Sequence, residues 1–110
     1  MNAIASIDLD QLRHAADSAC RMLKVLSNPD RLLLLCRLAQ AEACVSELEA
    51  ELGIVQPTLS QQLGVLRDEA LVSTRREGKR IHYRLRSPQA LAIMGVLQTQ
   101  FCPPRKEKKR

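Results

Sequence analysis

Residues 46–85 have the sequence SELEAELGIVQPTLSQQLGVLRDEALVSTRREGKRIHYRL. Ser46 and Glu49 fit a capping box, in which the side chain of each residue bonds a backbone N–H at the start of a helix. This short helix ends at Gly53, since glycine adopts the left-handed conformation that turns the chain. A longer helix is predicted over residues 56–69. A short helix, a glycine turn and a longer helix are typical of a helix-turn-helix motif.

Two further helices are predicted upstream of this motif. Apolar residues between Leu9 and Leu26 recur every three or four positions, which places them in one stripe on an amphipathic helix. Asn28 and Pro29 suit the N-cap and the first position of a second helix, which is predicted to run to about Ala41. Because that helix is apolar on several sides, we expect it to be the central, buried one.

Downstream, the hydrophobic period changes from helical to two. Residues 72–74 and 81–85 flank Glu77-Gly78, which predicts a β-hairpin with a tight turn. A last helix is predicted to begin at Ser87-Pro88 and to end before Pro103. The fold class is therefore mainly α with a small β-hairpin: about five helices and a two-stranded wing, that is, a winged helix-turn-helix.

The distribution of charge is uneven along the 110 residues. Residues 1–70 have 6 basic and 10 acidic side chains, residues 71–102 have 6 and 1, and residues 103–110 have 5 and 1. Positive charge confined to the last third is expected of a polyanion-binding edge, although a solvated face is the alternative. The length suits one domain, which we place at residues 1–102, followed by a basic, disordered tail over 103–110.

The apolar runs exclude a membrane protein. The longest, residues 32–36 and 90–97, are too short to span a bilayer. No basic segment followed by an apolar one marks a secretory signal near the first residue. We therefore expect a cytoplasmic protein with no membrane partner. In that reducing compartment the four cysteines are expected to be buried, reactive or metal-binding rather than paired in permanent disulfides.

The helix over residues 56–69 has leucines on one side and hydroxyl and amide groups on the other. Such polar groups can bond base edges and phosphates in the major groove. The hairpin around Gly78 adds basic side chains, which bind phosphates with a strong salt dependence. A polar helix followed by a basic hairpin therefore predicts an interface for double-stranded DNA. The candidate DNA-binding residues are Gln56, Thr58, Ser60, Gln61, Gln62, Arg75, Arg76, Lys79 and Arg80.

These segments resemble the ArsR/SmtB family of winged-helix repressors. The resemblance extends over roughly residues 8–102 and rests on LSNPDRL at 26–32, VSEL at 45–48, QPTLSQQL at 56–63 and the hairpin glycine Gly78. It implies a transcriptional repressor without enzymatic activity. It also implies a homodimer built on the first and last helices, which binds two half-sites of operator DNA about one turn apart.

Members of this family release DNA when an inducer binds, and the cysteines indicate the inducer. Cys36 and Cys102 match the two thiols of the BigR/SqrR-type branch, which senses reactive sulfur species such as persulfides and polysulfides. The resemblance implies that these two sensor thiols become joined by a disulfide or by additional sulfur atoms, without a cofactor. Cys20 and Cys44 have no such match and are interpreted as core or surface residues.

A metal sensor is the main alternative among regulators. In the metal-sensing branch a Cys-x-Cys box begins the third helix, but here the box is Cys44-Val45-Ser46, and residues 89–101 contain no Asp, Glu or His. No metal site is therefore expected for zinc, nickel or cobalt. A repressor responsive to arsenite or another soft metal, using Cys36, Cys44 or Cys102, stays open.

Two classes other than regulators are disfavoured. A thiol oxidoreductase would need a Cys-x-x-Cys motif, which the sequence does not contain. A catalytic Cys–His pair is also disfavoured, because His14 lies on an amphipathic helix and His82 on the hairpin, where phosphate contact or solvent exposure is expected. A helical protein-interaction module would not need a basic hairpin.

Overall fold

The computed structural model describes residues 8–103. The elements of this part of the chain are α1 (Leu9–Leu26), α2 (Pro29–Leu38), β1 (Ala43–Cys44), α3 (Val45–Leu52), α4 (Thr58–Asp68), β2 (Val72–Glu77), β3 (Arg80–Leu85) and α5 (Pro88–Phe101). The predicted class, mainly helical with a hairpin, and the order of its elements are confirmed. The predicted disordered tail lies outside the described residues from position 104 onward.

Side-chain caps begin α2 and α5 where the sequence predicted. Asn28 Oδ1 accepts a hydrogen bond of 3.0 Å from the backbone N–H of Arg31. Ser87 Oγ accepts an equivalent bond of 3.0 Å from Ala90. In both helices a proline follows the cap, where its missing N–H leaves no intrahelical bond unmade.

The predicted start of α3 was wrong. The N-cap is Cys44 rather than Ser46, and the backbone N–H of Cys44 donates to Glu47 Oε1 at 2.8 Å. The physical reason is that Cys44 belongs to strand β1, so extended backbone ends there and the helix begins at the next residue. The predicted end of α3 is confirmed, because Gly53 adopts a left-handed conformation with φ of 71°. Helix α2 ends at Leu38, three residues before its predicted end.

The sheet has three strands, where the sequence predicted two. Strands β2 and β3 form the hairpin, and β1 pairs antiparallel with the other edge of β3. This pairing places Ala43 opposite Tyr83 and Cys44 opposite His82. A strand of two residues is too short to show a hydrophobic period, which is why the sequence did not predict it. The sheet therefore joins the hairpin to the start of α3.

The core lies between α2, α3, α4 and the root of the hairpin. Its largest fully buried side chains are Leu34, Leu35, Leu48, Leu59, Leu63, Leu66 and Val72. Helix α2 contacts α1, α3, α4, α5 and β3, which confirms its central position. By contrast, every described residue of α1 up to Cys20 is exposed, and only Val25 and Leu26 are buried. No helix within residues 8–103 combines the length and hydropathy needed to cross a membrane.

Candidate DNA interface and cysteine pocket

One side of helix α4 packs in the core, and the opposite side is exposed. Leu59, Leu63 and Leu66 form its buried side, with at most 1% of each residue exposed. Ser60 and Gln61 are exposed, as is Gln56 immediately before the helix, whereas Thr58 is half-buried. The side of α4 opposite the leucines therefore has exposed amide and hydroxyl groups.

Two of the candidate glutamines also have structural partners. Gln56 Oε1 accepts a hydrogen bond of 3.1 Å from the backbone N–H of Ser60, so this side chain stabilises the first turn of α4. Gln62 Oε1 accepts a bond of 3.0 Å from the guanidinium of Arg31, whose Nε donates to the Val25 carbonyl. Gln62 therefore ties α4 to the junction between α1 and α2. Sequence reasoning did not predict this role, because Arg31 lies on another helix.

The hairpin presents some of its basic side chains freely and holds one in an ion pair. Arg76, Lys79 and Arg80 are exposed around the turn at Gly78, whose φ is 63°. This tip of the hairpin, residues 76–80, is the basic surface nearest to the turn. Three of the four predicted hairpin contacts thus lie where a phosphate could reach them.

Arg75 is the exception among the hairpin candidates. Its guanidinium donates two hydrogen bonds to Glu42, of 2.8 and 2.9 Å, and a longer one of 3.4 Å to Glu77. The hydrogen bond and the positive charge of Arg75 lower the pKa of Glu42, and the same pairing raises the pKa of Arg75. Because its charge is already paired, Arg75 is less suited to bind phosphate than its neighbours.

The predicted sensor thiols share one pocket. A cavity of about 560 Å³ between α2 and α5 is lined by both Cys36 and Cys102. Cys36 is half-buried, with its Sγ 3.5 Å from the Met94 Sδ, and Cys102 is exposed at the end of α5. Burial raises the pKa of the Cys36 thiol, and the nearby Cys102 raises it further. The fold thus brings together two thiols that are far apart in the sequence.

The other two cysteines lie elsewhere. Cys20 is exposed on α1, and Cys44 is buried at the start of α3, with its Sγ 3.3 Å from the Ser46 Oγ. Neither residue lines the Cys36–Cys102 pocket. Their interpretation as surface and core residues agrees with these positions.

The expected exposure of His82 was wrong. Only 15% of its side chain is exposed, because the residue lies on β3 opposite Cys44. Its Nε2 is buried and 3.2 Å from Glu77 Oε1, without the direction of a hydrogen bond. Ligand atoms of Cys44, Glu47 and His82 all lie within 4.8 Å of one another. The sequence could not show this cluster, since it depends on the pairing of β1 with β3.

Comparison with known proteins agrees with this fold. The sequence model described as "Bacterial regulatory protein, arsR family" matches residues 28–74, which include α2, α3 and α4. The biofilm growth-associated repressor of Agrobacterium fabrum is 50% identical over 101 residues, which cover 92% of this chain and 86% of that protein.

Two solved structures extend the comparison. The transcriptional repressor BigR from Xylella fastidiosa has a TM-score of 0.82 and 45% identity, covering 88% of this chain and 99% of that one. A winged helix-turn-helix DNA-binding domain from Mycobacterium bovis, described as homodimeric, has a TM-score of 0.69 and 31% identity, covering 87% and 88%. The relatives of this chain are thus regulators rather than enzymes. The chain belongs to the ArsR family of bacterial regulatory proteins.

Proposed function

We propose that this regulator is a homodimeric repressor that binds double-stranded operator DNA and releases it when reactive sulfur species join Cys36 to Cys102. Helix α4 is the element that reads the bases, and the hairpin tip binds phosphates. The similar proteins from Agrobacterium and Xylella are both named repressors. The proposal rests above all on the single pocket that both thiols line.

The homodimer is supported by apolar surface on the first and last helices. Leu9 and Leu23 of α1 are 60% and 57% exposed, and Leu91, Val96 and Phe101 of α5 are 51%, 58% and 79% exposed. Large apolar side chains grouped on two helices are typical of a surface that another protein chain covers. The homodimeric relative from Mycobacterium bovis has the same fold. A second copy of this chain would bury these side chains and place two α4 helices on one duplex.

The chemistry assigns different tasks to the two thiols. Cys102 is exposed and therefore meets the sulfur donor first. Its thiolate attacks the outer sulfur of a persulfide R–S–SH, forms Cys102–S–SH and releases R–S⁻. The Cys36 thiolate then attacks the sulfur bonded to the Cys102 side chain, forms the disulfide and expels HS⁻. The two cysteines are oxidised, and the donor sulfur is reduced to sulfide.

A longer bridge forms when both thiols accept sulfur first. Attack of one protein persulfide on the inner sulfur of the other then gives a trisulfide and releases HS⁻. Either bridge fixes the end of α5 to α2, and α5 has part of the proposed dimer surface. Bridging would therefore change the distance between the two α4 helices, with an expected loss of DNA affinity of about 5- to 150-fold.

The test compares intact mass with DNA binding in the full-length, reduced protein. After treatment with a persulfide or polysulfide donor, we expect a mass that corresponds to one Cys36–Cys102 bridge, together with release of a fluorescent operator duplex. Cys36→Ser and Cys102→Ser should take up sulfur without forming the bridge and should keep the DNA. Cys20→Ser is the matched control and should respond like wild type.

The same assay distinguishes the alternative inducer. Arsenite bound by three thiolates would need Cys44 beside the other two, but Cys44 does not line their pocket. If arsenite releases the operator and persulfide does not, the sulfur proposal is wrong. Release by persulfide in both serine variants would be equally contrary to it.

A further inference from the structure

We propose that Arg31 is a positioning residue for DNA reading, which fixes helix α4 against the end of α1 through Gln62. The inference rests on the proposed role of α4 as the element that reads the bases. It also removes Gln62 from the base-reading residues, because this side chain acts by holding the helix and not by contacting DNA.

The first support is that Arg31 is fixed at both its backbone and its side chain. Its backbone N–H lies in the first turn of α2 and donates to the Asn28 cap at 3.0 Å. Its Nε donates to the Val25 carbonyl at 2.7 Å, and its Nη2 donates to the Lys24 carbonyl at 3.3 Å. The last carbonyls of a helix have no partner within the helix and lie at the negative end of its dipole. The guanidinium is therefore stabilised at the end of α1 by hydrogen bonds and by charge.

The second support is that this fixed guanidinium also contacts α4. Its remaining nitrogen, Nη1, donates to Gln62 Oε1 at 3.0 Å, so all three nitrogen atoms donate within the protein. Arg31 and Gln62 are both half-buried. A hydrogen bond from a charged donor is stronger than a neutral one, and partial burial lowers the local dielectric constant. One side chain thus joins the end of α1 and the start of α2 to the middle of α4.

The third support is the place of Gln62 on α4. Gln62 comes directly before Leu63 and three residues after Leu59, both of which are buried, so it lies at the edge of the packed side. Ser60 and Gln61 are exposed. A bond at this edge fixes the rotation of α4 about its own axis. That rotation decides whether Ser60 and Gln61 meet base edges with the geometry that hydrogen bonds require.

Loss of the Arg31–Gln62 bond should therefore reduce sequence selectivity more than total affinity. Phosphate contacts supply most of the binding to unrelated sequences, and they tolerate a small rotation of α4. Bonds to base edges do not tolerate it. The quantity to measure is the ratio of affinities for a preferred duplex and an unrelated one.

The experiment uses full-length, reduced protein and two fluorescent duplexes. One is selected by the wild-type protein from a randomised pool, and the other has the same bases in scrambled order. Gln62→Leu should weaken binding to the selected duplex by about 2- to 30-fold, with a smaller change for the scrambled one. Arg31→Met and Arg31→Lys should both lower the ratio, because lysine keeps the charge but lacks the fork of donors. Lys24→Met removes a nearby charge, leaves the carbonyl acceptor in place and should bind like wild type.

Gln62→Glu separates positioning from base contact. Glutamate still accepts the bond from Arg31, but it has no N–H to donate to a base. We expect this variant to keep the selectivity of wild type. A loss equal to that of Gln62→Leu would overturn the proposal in favour of direct base reading by Gln62.

Salt dependence separates positioning from phosphate contact. Arg31→Met should leave the slope of log affinity against log salt unchanged, whereas loss of one phosphate contact would reduce it by about 1. A reduction of that size, with selectivity intact, would overturn the proposal.

Thermal melting establishes that each variant is folded at the temperature of the binding assay. Gln62→Leu leaves the bonds of Arg31 to α1 in place, so it tests the proposal even if the Arg31 variants unfold. If the wild-type protein selects no sequence, the proposed reading of DNA by α4 is wrong, and this inference is overturned with it. If it selects one and folded Gln62→Leu keeps full selectivity, only the inference about Arg31 is wrong.

Discussion

Asn28 and Ser87 each stabilise a helix through one side-chain oxygen. Both were identified from the sequence, because an Asn or Ser directly before a proline is a local signal that needs no knowledge of the fold. Glu47 has a comparable role at α3, but its partner is Cys44, whose position depends on the sheet. All three contacts span three residues, but the position of the cap at α3 is set by the pairing of β1 with β3, and a local pattern does not show that pairing.

We expect Asn28→Ala to lower the free energy of unfolding by about 1 kcal/mol, because the N–H of Arg31 loses its acceptor. Urea denaturation followed by circular dichroism measures this change. Asn28→Asp keeps an oxygen at the same position and should lie close to wild type. An equal loss of unfolding free energy in both variants would mean that the lost cap is not the cause of the destabilisation.

The rate at which the Cys36–Cys102 bridge forms should rise with pH, because Cys36 is half-buried. Burial raises the pKa of Cys36, so little of it is thiolate near neutral pH, and the bridging step should become faster as pH rises towards that raised pKa. Stopped-time alkylation and mass analysis at several pH values give the rate. A rate that is flat or falls over the alkaline range would contradict this assignment of Cys36 to the second step.

The same raised pKa has a consequence for stability. The unfolded chain releases the Cys36 proton at a lower pH than the folded one, so this contribution to stability is complete below the unfolded pKa. It is lost as pH rises through the folded pKa. Reduced protein should therefore be less stable in alkali, and Cys36→Ser should show a smaller loss.

At the scale of elements, α4 and the hairpin are the parts that the sequence predicted best. The leucine spacing of α4 and the alternation of β2 and β3 are strong periodic signals, and the buried side of α4 was assigned correctly. Strand β1 and the ion pair between Arg75 and Glu42 were not predicted. Both depend on a pairing between segments more than thirty residues apart, for which a single sequence contains no pattern.

The ion pair leads to different expectations for two neighbouring arginines. Arg76→Ala should weaken operator binding and reduce the slope of log affinity against log salt by about 1, the value for one phosphate contact. Arg75→Ala should change this slope less, because the Arg75 charge is already neutralised by Glu42. Fluorescence anisotropy at several salt concentrations measures both slopes. An equal or larger effect of Arg75→Ala would show that the ion pair opens on DNA.

At the scale of the whole molecule, the sequence indicated an apolar stripe on α1 but not what would cover it. The structure shows that this chain covers little of it, since α1 is exposed up to Cys20. A stripe has the same spacing whether it packs within one chain or between two, so periodicity alone does not distinguish the cases. The exposed fractions of the side chains distinguish the two cases, because a stripe that packs within one chain is buried in that chain.

Val96→Glu is the corresponding test of assembly. This side chain is 58% exposed on α5, and a buried carboxylate at the proposed interface should raise the dimer dissociation constant by about tenfold or more. Val55→Glu, at a residue 62% exposed but outside α1 and α5, is the matched control. Light scattering after size-exclusion chromatography measures both. A dimeric Val96→Glu protein would place the interface elsewhere.

The strand pairing of the hairpin also affects how much conformational entropy is lost when it binds DNA. Ala43 and Cys44 pair with the middle of β3, opposite Tyr83 and His82, and β2 pairs with β3 as far as Glu77 opposite Arg80. The backbone of the hairpin is thus paired as far as the turn, and β1 adds a second neighbour to the middle of β3. Since strand pairing already orders this backbone, the loss of conformational freedom on binding DNA falls mainly on the side chains at the tip, and each phosphate contact keeps more of its binding free energy.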